Sequence, residues 1–343
     1  MPERVRIAVD AMGGDLGPRV NVEGAVAAVS RDSALEVILV GDKAEIERRL
    51  AAVPAAERAS LSVQPASQVV EMAEVPVQAV RSKPDNSMSV GMRLVRDGKA
   101  DGFVTAGNTG AALAAALFEL GRIEGIRRPA LATLMPGVSG SYLLLDIGAN
   151  ADCRPQDLVQ FALMGHVYAK RVLGVASPRI GLVSNGEEES KGNELTKEAH
   201  ILLRGSGLNF VGNVEGKDLP NGLADVVVTD GFTGNVMIKT SEGVASMILE
   251  ILKRQIARSW RAKLGGLLLR PTLKAAVAHL DYTEVGGAPL LGVRGVVLVG
   301  HGRSNAKAIA SLISAGARVA RQGLVAAIAD GLKENASIGN QVA

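Results

Sequence analysis

One cysteine, Cys153, stands in 343 residues. A single thiol makes no intrachain disulfide and no cysteine metal cluster, so a reducing cytosol is expected and Cys153 reads as a small filler rather than a nucleophile. Aromatic residues are scarce at 3%. That scarcity argues against the stacking platforms of nucleic-acid modules and leaves the core to Ala, Val, Leu and Ile. No apolar run approaches the ~18 residues that cross a bilayer. Neither charge dominates: 38 basic against 35 acidic side chains leave +3, which gives no indication of nucleic acid and suits an acidic protein partner or an anionic membrane surface. An apolar strand begins at Val5, so no signal peptide is expected. Familiar cofactor motifs are missing as well. There is no G-x-G-x-x-G after the first strand, no phosphate-binding P-loop, no G-x-S-x-G and no H-E-x-x-H; nucleotide cofactors, serine hydrolysis and zinc are disfavoured.

What the chain has is glycine, 40 residues without a repeating period, and 47% hydrophobic content. Short Val/Ile/Leu runs at 5–10, 35–40, 102–105, 131–135, 142–146, 180–184, 224–229 and 296–299, with weaker ones at 60–64 and 209–213, alternate with helical patterns. Such alternation predicts an α/β fold with a mostly parallel sheet. Seven of the runs end in Gly/Asn/Asp-rich turns, which a parallel sheet gathers on one edge, where backbone N–H groups and helix N-termini suit an anion. No Pro/Ser-rich linker divides the chain. One body over 1–333 is expected, with a loop or lid near 73–85, a protruding basic helical segment at about 244–280 and a frayed tail at 334–343.

Within the turns, Thr105–Gly110 offers Gly107 for close approach and Asn108 and Thr109 as anion donors, or simply as a helix cap. Asp10 and Asn150 close two further strand ends and are candidate substrate ligands. Ser184–Asn193 sets Lys191 between Asn185 and Asn193, an anion-binding candidate whose glutamates otherwise form a solvated first turn. Thr229–Gly234 echoes Thr105–Gly110, and there Asp230 and Asn235 are candidates for the cleft. His301, between Gly300 and Gly302, can donate to an oxyanion or protonate a leaving group. In the basic segment, Arg254, Arg258 and Arg261 are expected on one helical face, with a break at Gly265-Gly266 and a tip of Leu267, Leu268 and Leu269. The tip suits a membrane surface, an acyl chain or a partner; the helix itself also suits packing on a second subunit.

Taken in order, IAVDAMGGDLGP (7–18), DGFVTAGNTGA (101–111), RRPAL (127–131), LDIGAN (145–150), QFALMG (160–165), GEEESKGN (186–193), NFVGNVEG (209–216), ADVVVTDGFTGNVMIKT (224–240), GAPLLGV (287–293) and GHGRSN (300–305) resemble the bacterial acyl-(acyl-carrier-protein):phosphate acyltransferases of phospholipid synthesis, the PlsX family. The resemblance implies a three-layer α/β/α fold similar to the phosphotransacetylase and isocitrate-dehydrogenase-like group. It implies a cytosolic homodimer, peripherally membrane-associated, with no cofactor and no metal. It implies acyl transfer from acyl carrier protein to inorganic phosphate, with product passing to a membrane-bound glycerol-3-phosphate acyltransferase. Lys191, Asn108 and Thr109 are assigned to phosphate, His301 or Asn235 to the oxyanion or departing sulfur, and Asp230 to loop orientation. Two other readings stay open: a metal- and NAD-dependent decarboxylating dehydrogenase, with Asp225, Asp230 and Asp146 as its acidic ligand cluster, and a non-catalytic phosphate-ligand or carrier-protein scaffold.

Overall fold

The structure is a computed structural model that describes residues 4–138, 140–278 and 286–335. The amino-terminal part runs β1 (Val5–Asp10), α1 (Gly17–Val29), β2 (Leu35–Gly41), α2 (Lys43–Leu50), α3 (Ala55–Arg58), β3 (Leu61–Pro65), α4 (Pro76–Ser82), α5 (Ser87–Arg96), β4 (Gly102–Thr105) and α6 (Thr109–Glu119). The middle adds β5 (Ala130–Gly137), β6 (Gly140–Leu145), α7 (Pro155–Arg171), β7 (Ile180–Val183), α8 (Glu194–Arg204), β8 (Phe210–Val214), β9 (Val226–Val228), α9 (Gly231–Ala257) and α10 (Trp260–Ala278). The chain closes with β10 (Ala288–Leu291), β11 (Val297–Val299), α11 (Ala306–Arg321) and α12 (Leu324–Glu334). The last eight positions of the expected frayed tail, 336–343, lie outside the described residues.

Among the described residues, eleven strands join one sheet in the order β3-β2-β1-β4-β11-β10-β5-β6-β9-β7-β8. Period-two burial makes it the middle of three layers. Ile7 and Val9 of β1 face a core shared with α1, α7, α11 and α12, whereas Ala8 faces one shared with α5 and α6. Leu143 and Leu145 of β6 join the first core; Leu144 meets Val227 and Ile238 of α9 on the other face. The helices α5, α6 and α9 therefore share one side of the sheet.

Most neighbours are parallel, but three antiparallel pairings, β11/β10, β10/β5 and β5/β6, sit together at the centre. Three reversals are an odd number. The half built on β1 and β4 and the half built on β6 and β9 consequently run in opposite directions, and the register through β10 and β5 brings their carboxyl ends, Thr105 and Val299 of one and Leu145 of the other, toward each other at the middle of the sheet. This corrects the expectation that a single edge gathers all the turns. The reversals come from a tight β5–β6 hairpin, Gly137 opposite Gly140, and from β10. In β10, Pro289 sits where the strand passes from β11 (Ala288, Pro289) to β5 (Leu290, Leu291). A four-residue strand containing proline carries little sequence signal.

The basic segment also differs from expectation. Ser259, not Gly265-Gly266, is the break: its Oγ accepts from Ala262 N at 3.0 Å and caps α10. Helix α10 continues through both glycines, and a Cβ on Gly266 would lie 3.0 Å from Ile256, so this glycine lets α9 and α10 approach closely. Arg254 and Arg258 end up on α9 and its C-cap while Arg261 belongs to α10. Leu267, Leu268 and Leu269 lie inside α10 rather than at a tip, and all three are exposed. No single helix among the described residues is long and apolar enough to cross a membrane.

Candidate active site

Asp10 ends β1 almost fully buried. Its Oδ1 accepts from Met12 N (3.1 Å) and Gly13 N (3.0 Å), and its Oδ2 from Thr105 Oγ1 at 2.7 Å. The same Thr105 oxygen accepts from Gly107 N at 2.9 Å. Burial pushes the Asp10 carboxyl above the usual range, opposed by hydroxyls of Ser87 and Thr105 and by the two amides. Asp10 is thus a brace beneath the surface that locks the β1 and β4 turns together. Asn108 is equally occupied. Its Oδ1 caps α6 through Ala111 N (3.0 Å), and its Nδ2 donates to Met72 O (2.9 Å) and Glu74 O (3.4 Å). Lys83 holds Glu74 at 2.7 Å and Val69 O at 2.8 Å, so residues 69–75 form a pinned strap beside the α6 N-terminus.

The third turn of this half follows β11. Gly300 N donates to Thr105 O at 2.7 Å, and Asp15 N donates to Gly302 O at 2.8 Å. His301 Nδ1 accepts from Arg303 N at 3.2 Å, which in the neutral ring leaves the proton on Nε2.

In the second half, Asp146 takes the part of Asp10. Its Oδ1 accepts from Leu131 N, Gly148 N and Ala149 N (3.0–3.1 Å), and its Oδ2 from Asn150 N (2.7 Å) and Nδ2 (2.8 Å). Asn150 Nδ2 also reaches Pro129 O at 2.7 Å, which makes Asn150 a buried clamp. Asp230 caps α9, accepting from Thr233 N and Oγ1 at 2.8 Å each. Gly234 touches Asp146 so closely that a Cβ would lie 1.9 Å from its carbonyl oxygen, so only glycine lets α9 start here. One turn on, Asn235 Nδ2 donates to Ile147 O at 3.3 Å.

These turns meet at a cavity of about 620 Å³ on the α6/α9 side of the sheet. Gly107, Thr109, Gly110, Gly300, His301, Gly302, Ser304 and Asp15 line one part; Leu113, Leu131, Met135, Leu290 and Leu312 bring apolar surface; Asn235, Lys239 and Glu242 border it from α9. Of the predicted ligands, Gly107, Thr109, Asn235 and His301 come together here. Asp10, Asn108, Asn150 and Asp230 hold the turns in place. Lys191, Asn185 and Asn193 lie elsewhere, on the turn after β7: Asn185 Oδ1 accepts from Gly192 N (2.8 Å) and Asn193 caps α8 through Thr196 N (2.9 Å). Sequence reasoning missed Asp15, Ser304, Lys239 and Glu242. Lys239 was findable, four residues after Asn235 on one helix; its Nζ lies 3.2 Å from Glu242 Oε2.

Cys153 is inert in this setting. Burial first, then the nearby Asp146 carboxylate, push its thiol up to about 12. Asp225, Asp230 and Asp146 do not converge on a common point as the dehydrogenase reading requires. Asp225 pairs with Arg179 at 2.8 Å, and the other two are spent on caps and turns.

A family model described as fatty acid synthesis protein matches residues 5–327. A phosphate acyltransferase of Desulforudis audaxviator is 51% identical over 328 residues, covering 96% of each chain. Another, of Pelotomaculum thermopropionicum, is 50% identical over 318 residues, 93% of this chain and 91% of the relative. The chain belongs to this phosphate acyltransferase family. The motif resemblance in the sequence therefore holds at nearly full length, and the molecule is an acyltransferase. Among solved structures, a phosphotransacetylase from Streptococcus pyogenes shares the fold with a TM-score of 0.62 at 19% identity, covering 92% of this chain and 94% of that one. A branched-chain phosphotransacylase from Enterococcus faecalis does so at 0.58 and 15%, covering 92% and 99%. At those identities the likeness is one of fold. For a phosphate acyltransferase, a cavity with amide-rich turns beside apolar walls has the two kinds of surface that an oxyanion and an acyl group require.

Proposed function

We propose that the enzyme moves a fatty acyl group from the thioester of acyl carrier protein onto inorganic phosphate, releasing the carrier thiol and acyl phosphate. The observation that carries this reading is the joint lining of one cavity by helix N-termini and by leucine and methionine side chains. Phosphate is partly dianionic near neutrality and a thiolate leaves readily, so little acid–base assistance is needed. The protein's task is to hold the two substrates in attack geometry and to stabilise the tetrahedral oxyanion. Backbone N–H groups of Thr109 and Gly110 at the start of α6 receive phosphate beside the close approach that Gly107 allows, with Lys239 as the nearby cation. His301 through Nε2–H, or the Asn235 amide, faces the oxyanion or the departing sulfur. Lys191 has no step assigned on this geometry.

Around the site, half-exposed Val244, Met247, Ile248, Ile251 and Leu252 on α9 support a homodimer packed along that helix. Arg254, Arg258 and Arg261 suit acidic carrier protein, and exposed Trp260, Leu264 and Leu267–Leu269 suit peripheral contact with a membrane. The acyl phosphate would there pass to a membrane-bound glycerol-3-phosphate acyltransferase, and the enzyme would otherwise be cytoplasmic. Incubating acyl carrier protein thioester with phosphate and trapping product with hydroxylamine tests the reaction. Acyl hydroxamate that depends on both substrates is expected; its absence, with carrier protein or phosphate still bound, returns the molecule to a binding scaffold. In the same assay, reversing the three arginines to glutamate slows turnover at low salt, and an unchanged rate removes the docking site.

A further inference from the structure

We propose that Asp15 makes this site select an oxyanion that still carries a proton, and so discriminates phosphate from sulfate. The proposal rests on phosphate binding in the cavity described above. Asp15 lines that cavity together with Gly107, Thr109, His301 and Gly302. Its backbone is fixed by the 2.8 Å bond from its N–H to Gly302 O. Both carboxylate oxygens lie 3.4 Å from where a Cβ on Gly302 would stand, next to His301. Asp15 is exposed, and its carboxylate makes no hydrogen bond or ion pair among the described residues. Donors line the same cavity, at the first turn of α6 (Thr109 and Gly110) and at Ser304 ahead of α11, with the Glu242 carboxylate on its α9 side.

An ionised carboxylate accepts hydrogen bonds and donates none. On the lining of an anion site that also carries donors, it repels a fully deprotonated oxyanion and rewards one that brings its own O–H. Near neutrality both ionic forms of inorganic phosphate keep at least one O–H, and arsenate behaves alike. Sulfate, of the same shape, has none. The phosphate hydroxyl donates to Asp15, which directs the unprotonated oxygens toward the helix N-termini and the thioester. A site that pairs a substrate hydroxyl rejects an analogue lacking it, because its own polar group is left facing a charge.

The test is competition by sulfate and arsenate against phosphate in the wild type, Asp15→Asn and Asp15→Glu. Wild type should need about tenfold or more sulfate than phosphate for equal occupancy. That ratio should fall toward one in Asp15→Asn, which can donate, and persist in Asp15→Glu, while arsenate competes alike in all three. Equal ratios in wild type and Asp15→Asn overturn the proposal. Thermal midpoint shifts with each anion, without acyl donor, read the same ratio. If they show the discrimination while no acyl phosphate forms, the reaction is wrong and the anion site stands. If acyl phosphate forms and sulfate competes as well as phosphate in wild type, Asp15 has no such role.

Discussion

The two halves of the sheet solve one problem with different means. In each, two neighbouring parallel strands end in a buried aspartate and a buried threonine: Asp10 with Thr105 on β1 and β4, Asp146 with Thr229 on β6 and β9. Each aspartate gathers the amides of its own turn. At the opposite ends, Arg6 grips Asp101 and Arg179 grips Asp225, each through its backbone N–H and guanidinium. The difference is in the threonines. Thr105 links its aspartate to Gly107 N through a hydroxyl, whereas Thr229 joins β6, among the described residues, through backbone bonds alone, Thr229 N to Leu145 O at 2.6 Å and Asp146 N to Thr229 O at 3.0 Å. The first half thus fixes bare backbone at the cavity. The second fixes the start of a long helix, and delivers side chains, Asn235 and Lys239, from further along it.

Replacing the aspartates by alanine should break the comparison most. Asp146→Ala leaves four backbone amides without an acceptor and should cost about 4 kcal/mol, and Asp10→Ala, with two amides and the Thr105 and Ser87 hydroxyls, about 3 kcal/mol, read from urea midpoints at constant m. Equal losses would show that the number of orphaned amides does not set the cost. Thr105→Val against Thr229→Val comes next. The first should lose about 1–2 kcal/mol and raise the KM for phosphate severalfold, because Gly107 N loses its anchor, while the second stays within about 0.5 kcal/mol. Matching phosphate KM values would deny the hydroxyl relay its positioning role.

The smallest effect belongs to the outer clasp. The Arg179 guanidinium beside Asp225 holds its carboxyl below the usual range. A depressed carboxyl adds stability that is present above the unfolded value, about 3.9, and is lost as pH falls through the folded one. Asp225→Asn should therefore flatten the loss of stability on acidification below about pH 5, and an unchanged slope would show that the clasp is solvent-screened.

Much of this was legible beforehand. Val5–Asp10 and Gly102–Thr105 were readable to the residue because a fully buried strand is a short apolar run with a turn at its end. The antiparallel centre was not. Nothing within Ala130–Gly137 or Gly140–Leu145 records strand direction, and Pro289 hid β10 altogether. The site divides in the same way. Gly107, Thr109, Asn235 and His301 belong to turns whose chemistry is local. Asp10 and Asn150 carry the same residue types at the same kind of strand end, yet their side chains turn inward. Only packing distinguishes a buried brace from a ligand. Lys191 sits on a turn as well suited to anions, but β6 and β9 stand between β7 and the reversals at the sheet's centre, so its turn falls outside the cavity.

Those reversals have a mechanical consequence. β10 is stitched to β11 by two residue pairs and to β5 by two, against six between β1 and β2. The sheet is thus at its thinnest directly under the cavity, between two stiff plates. A bound molecule that touches the turns after β4 and β11 on one plate and α9 on the other acts as a splint across that seam, so filling the pocket and stiffening the protein are one event.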